Sequence, residues 1–148
     1  MPAARSDTLW PRVAITLLVA THLAVTLWHG GAHRELAVAL SPARTAFVLL
    51  VIIVAPVAAA VLVWTRWAVA GVWVFFLSML GALIFGVHHH YVLVSPDNVA
   101  HLPPGATEAH SAFIASAATL AVLELASTLY GALRLGLLSA RPRATGTA

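Results

Sequence analysis

WAVAGVWVFFLSMLGALIFGVHHH, residues 67–90, carries no formally charged side chain and ends on three consecutive histidines. As a helix, at about 1.5 Å per residue, a run of this length reaches across the roughly 30 Å hydrocarbon core of a bilayer. Three further apolar stretches, about 11–29, 44–65 and 108–134, have the same character. A composition of 61% hydrophobic and 9% charged residues agrees, since a soluble globule is usually about a quarter charged. The expected fold is all-α, an integral membrane four-helix bundle forming a single domain over residues 1–148, with a flexible basic tail at 139–148.

Arginine placement predicts the orientation. If the four runs alternate, Arg5, Arg12, Arg66, Arg134, Arg141 and Arg143 share one side and only Arg34 and Arg44 take the other. Basic flanks stay in the cytoplasm, so the N- and C-termini are expected inside, with loops 30–43 and 91–107 outside. Thr65-Arg66 leaves room only for a tight turn, which predicts two antiparallel hairpins. Pro56 is expected to bend the second helix. Arg5 and Arg12 ahead of an apolar run also resemble a secretory signal, but the run is long and His22 and His29 interrupt it. The expected location is a bacterial plasma membrane, as a multi-pass protein. Eight arginines, no lysine and five acids make a modest basicity that orientation explains, so no nucleic-acid partner is expected. The expected partners are the lipid bilayer and, through faces of small residues, a second copy or a larger membrane complex.

The outer loop has its own signals. Ser95-Pro96-Asp97-Asn98 reads as an N-cap, a proline at the first helical position and an acid in the first turn, predicting a short ordered helix at about 96–102. Pro103-Pro104-Gly105 ends it, and Thr107 and Glu108 open the fourth membrane helix.

The histidines are distributed unevenly on this topology. His29, His33, His88, His89, His90, His101 and His110 map to the outer interface or its loops, and His22 lies nearer the middle of its run. No cysteine is present, so soft-metal chemistry must rest on imidazole and carboxylate. The expected metal ligands are His88, His89, His90, His101 and His110 with Asp97, His29 supporting them; copper or zinc suits such a donor set. The chain has neither an HExxH nor the paired ExxH of di-iron bundles. Three consecutive histidines span about 200° of helix, so at least one must face the bundle and one must face away.

His22 and Glu124 fall at similar depth in the first and fourth runs, where ionisable groups are costly, and are expected to pair as structural glue or as a proton relay. The leading functional expectation is transition-metal binding at the extracytoplasmic face, for binding, delivery or permeation. Three alternatives stand beside it. One is a b-type cytochrome holding haem b through His22 or His29 and a histidine of the third run. Another is a metal-dependent membrane enzyme with Asp97, Glu108 or Glu124 as acid or base. The last is an accessory subunit of a larger membrane complex.

Overall fold

The computed structural model describes residues 3–140, and the basic tail expected from 139 onward lies almost entirely outside them. The architecture is all-helical, with no strand among the described residues. Among the described residues four helices are long and apolar enough to cross a membrane: α1 (Ala3–Glu35), α2 (Pro42–Leu62), α3 (Ala68–Val92) and α4 (Thr107–Ser139). Large apolar side chains stand exposed on all of them, for example Leu27, Leu50, Leu77 and Leu129, which is the surface of a multi-pass membrane protein.

α4 packs against both α3 and α1, and α2 packs against α3. α1 meets α2 along the segment Ala55–Leu62, which closes the circuit. Lipid gives helices no hydrophobic reason to associate, so close approach through small residues does the holding. Gly71 shows the requirement: a Cβ there would come within 2.8 Å of the Val63 backbone nitrogen, where α3 crosses the end of α2. Gly131 meets Phe76 in the same way, its Cβ position 3.0 Å from the Phe76 Cβ.

The interior is layered. Ile15, Val19, Ala59, Val63, Val72, Phe75 and Met79 form an apolar cluster toward the Arg66 turn. A second cluster, Ala32, Leu36, Val38, Ala109 and Phe113, lies at the opposite end. Between them lie the buried polar side chains of His22 and Glu124, and Ser78 and Ser127 are buried closer to the first cluster.

Local structure departs from sequence expectation in three places, and each has a physical cause. α1 does not stop near residue 29 but runs through Gly30-Gly31 to Glu35. Two interior glycines cost about 1 kcal/mol each relative to alanine, and burial of Ala32 and Leu36 in the upper cluster opposes that cost. α2 contains a π-helical stretch, Val48–Val54, directly before Pro56, with the Ala55 amide bonded to Leu50 five residues back. Proline supplies no N–H to the ladder, and the wider turn takes up the shifted register. The loop helix expected at 96–102 is absent, and two successive turns replace it. There the Asn98 and His101 amides bond to the Ser95 and Asn98 carbonyls at 3.0 and 2.9 Å. The Asn98 side chain bridges the Leu93 carbonyl and the Ala100 amide at 3.1 and 2.9 Å, so the backbone is satisfied locally without a helix.

α1 ends in a Schellman-type closure. The Val38 amide reaches back to the His33 carbonyl at 2.9 Å, and Ala37 sits in the left-handed region with φ 51°. Glycine normally occupies that position, because a Cβ there costs about 1 kcal/mol or more. Ala37→Gly is therefore expected to stabilise the fold by about 0.5–1 kcal/mol, read as a higher thermal midpoint in detergent; an unchanged or lower midpoint would show that the strain is not stored there.

Candidate metal centre

His29 and His33 stand one turn apart on α1, and the continuation of the helix through Gly30-Gly31 puts both on the face turned toward α4 and the outer loop. His90 comes from the last turn of α3. That turn is also π-helical, His88–Val92, with the Leu93 amide bonded to the His88 carbonyl at 2.7 Å. The wider turn buries His89 and His90 together and leaves His88 exposed.

His29, His33 and His90 converge so closely that one ring nitrogen from each lies within 4.8 Å of the others. Nε2 of His29 is 3.2 Å from Nε2 of His90 and 3.1 Å from Nε2 of His33. The other ring nitrogens are engaged with oxygens. His29 Nδ1 meets Ser116 Oγ at 2.8 Å, His33 Nδ1 meets the Val38 carbonyl at 3.3 Å, and His90 Nδ1 meets the Asp97 carbonyl at 2.9 Å. A carbonyl only accepts, so His33 and His90 carry their proton on Nδ1. Ser116 donates its own proton to the Ala112 carbonyl at 2.6 Å, so it accepts from His29 Nδ1. In the neutral state all three Nε2 atoms are then lone pairs facing one another.

Asp97 adds a fourth acceptor. Its Oδ1 lies 3.2 Å from His33 Nε2 and 3.2 Å from His90 Nδ1. Those are ion-pair distances without hydrogen-bond alignment, and both carboxylate oxygens are buried with no hydrogen-bond partner. Burial alone would raise the Asp97 carboxyl; the polar contact with His90 and positive charge on His90, His33 and His29 outweigh it and hold the group below its ordinary value. Phe113 on α4 is wholly buried and backs the cluster, its ring centroid 4.7, 4.9 and 5.5 Å from those of His29, His33 and His90.

The other sequence candidates have different surroundings. His89 bonds to the Phe85 carbonyl at 2.9 Å and tilts over the Phe85 ring, away from the cluster. His101 meets Asn98 Oδ1 at 3.3 Å, and His110 Nε2 donates to the Pro103 carbonyl at 2.8 Å. His88 packs edge-on against His89. Of the expected ligand set, the structure brings together His90, Asp97 and the supporting His29, joined by His33. The signal for His33 lies in HGGAH, residues 29–33: two histidines at i, i+4, the spacing by which a helix presents two imidazoles to one ion.

His22 and Glu124 meet as their depths suggested. His22 Nε2 lies 3.1 Å from Glu124 Oε1, and both side chains are almost fully buried. The contact joins α1 to α4 below the triad.

No protein-family model, curated protein or solved structure matches this chain. What the molecule can do chemically therefore rests on this geometry: a buried histidine triad able to hold a metal ion, within a four-helix membrane fold.

Removing one partner of the deep pair leaves the other buried and unsatisfied, at a cost of about 1–3 kcal/mol. Glu124→Leu is expected to lower the thermal midpoint, and the double variant His22→Leu/Glu124→Leu to recover part of the loss. Strict additivity of the two single changes would show that the groups are not coupled.

Proposed function

We propose that this protein is an integral membrane metal-binding protein whose ion is held by His29, His33 and His90, with Asp97 supplying the counter-charge and the fourth donor. The observation that carries the reading is the meeting of the Nε2 atoms of His29, His33 and His90 beside a buried carboxylate whose oxygens have no aligned hydrogen-bond partner. Protons relieve this poorly. One proton on His29 Nε2 can satisfy His90 or His33 but not both, and the His33 contact with Asp97 needs a second proton close by in a buried site. A single cation satisfies all of these contacts together.

Two of the three nitrogen–nitrogen edges have the spacing of a small tetrahedral site, and the three nitrogens together lie within 4.8 Å of one another. Two imidazole nitrogens bound to one zinc ion stand about 3.3 Å apart, and the His29–His90 and His29–His33 edges are 3.2 and 3.1 Å. Oxygen acceptors behind each Nδ1–H are the arrangement that fixes a metal-ligating histidine and raises its basicity. A porphyrin would hold two axial nitrogens about 4 Å apart on opposite faces, and a third ring nitrogen within 4.8 Å of both leaves no room for it. The donor set suits zinc or copper. The basic-flank pattern assigns the triad's end of the bundle to the extracytoplasmic side, where the protein takes up or hands on its ion.

Detergent-purified protein incubated with Zn²⁺ and freed of excess is expected to retain one zinc per chain by elemental analysis. His29→Ala, His33→Ala and His90→Ala should each weaken retention by more than about 100-fold, and Asp97→Asn by about 10–100-fold. His88→Ala, His101→Ala and His110→Ala should leave it unchanged. Full retention by His33→Ala, or loss with His88→Ala alone, would sink the assignment.

A further inference from the structure

A cavity of about 330 Å³ lies directly beneath the triad. His29, His33, His90 and Asp97 line one end and Glu124 the other. Between them the wall is largely apolar, with Val48 and Ile52 from α2, Phe85 from α3 and Leu120 from α4. Three features make it more than a packing flaw. Gly86 lines the passage between His90 and the carboxylate, where a Cβ would sit 3.5 Å from Glu124 Oε2 and 3.9 Å from His90 Cδ2. Thr26 Oγ1, on the cavity wall, is buried with no hydrogen-bond partner. The half of α2 that forms the outer wall is mostly exposed, Pro42–Phe47 burying no side chain and Val48–Val54 only Ile52, and it packs on α3 through Phe47 stacked on Phe85 at 4.9 Å. Beyond the proline-linked π turn, α2 is seated on α1 through Ala55–Leu62, while its other half packs on α3 and leaves the cavity between itself and α1 and α4.

The lining defines the occupant. Glu124 Oε1 is engaged by His22, which leaves Oε2 toward the cavity as a free acceptor. The Cβ position at Gly86 lies 3.5 Å from Glu124 Oε2 and 3.9 Å from His90 Cδ2, so the carboxylate is within 7.4 Å (3.5 + 3.9) of the His90 ring. Carboxylates at both ends and apolar walls between them exclude a molecule with an anionic body. At about 30 Å³ per water-sized unit, the volume takes roughly ten non-hydrogen atoms.

We propose that the cavity binds a small amphiphile of about that size. A neutral or monoanionic oxygen or nitrogen head takes a fifth position on the metal beside the three histidines and Asp97, a hydrocarbon body fills the apolar section, and a terminal hydrogen-bond donor meets Glu124. This rests on the metal reading above and gives that site its ligand class.

The test uses the full chain in detergent with Co²⁺ in the triad, whose visible absorption reports the coordination shell. Acetate, hexanoate and 6-hydroxyhexanoate are titrated as probes. Hexanoate is expected to shift the cobalt band at a concentration at least about tenfold below acetate, because its chain is buried, and 6-hydroxyhexanoate lower again. Glu124→Gln should erase the advantage of the hydroxyl, a ratio that mere loosening of the fold would not change. Val48→Phe, placed on the cavity wall formed by α2, should abolish the chain-length dependence while leaving the band and its response to acetate intact. Equal responses to all three acids with a normal cobalt band would overturn the cavity proposal and leave the metal centre standing. Failure of any cobalt band to form would overturn both.

Discussion

Three imidazole acceptors and a carboxylate crowd one small volume, and the rest of the structure is arranged around keeping them there. Each ring commits its Nδ1–H to an oxygen from a different part of the chain: Ser116 of α4, the Val38 carbonyl after α1, and the Asp97 carbonyl of the outer loop. The connections are thereby tied to the cluster. Val38 can accept from His33 only because α1 closes through Ala37 in a left-handed conformation, so a local strain is tolerated where it positions a ring. The Val99 amide also bonds to the His90 carbonyl at 3.0 Å, which joins the outer loop to the same turn that delivers the His90 ring.

Lipid makes this arrangement practicable. In water, a belt of polar side chains through the middle of a small bundle would compete with hydration; here the outside is as apolar as the two end clusters, and helices are held by close contacts such as Gly71 on Val63 and Gly131 on Phe76. The buried polar groups then have only one another as partners. His22 and Glu124 solve this as a pair, whereas His29, His33 and His90 form a cluster that could hold a metal ion.

How much of this was legible in the sequence depended on what kind of physics fixed each feature. The four spans follow from length and polarity alone, and the structure has four helices of that kind. The His22–Glu124 contact was legible for a similar reason, since depth along two helices needs only a count of residues. The triad was harder. Reading Gly30-Gly31 as the end of α1 puts His33 in a loop, and only tertiary burial of Ala32 and Leu36 keeps the helix going. Which member of His88-His89-His90 faces the bundle depends on a π turn, and no propensity in those residues announces one. Asp97 was legible as a residue near the histidines but not in its role. A capping pattern such as Ser95-Pro96-Asp97-Asn98 serves a helix start and a pair of turns equally well, and the Asn98 side chain decides for turns.

The division of labour among the helices follows from where their irregularities fall. α1 and α4 supply His29, His33, Ser116, Phe113 and the deep pair from uninterrupted helices of 33 residues each, so the parts that must hold position within tenths of an ångström sit on the stiffest elements. α3 adds His90 from a π turn that is anchored by the outer loop. α2 contributes no ligand; it carries the proline, the longer π stretch and the least buried wall. The histidine triad thus rests on the more buried helices, and α2 supplies one wall of the cavity beside it.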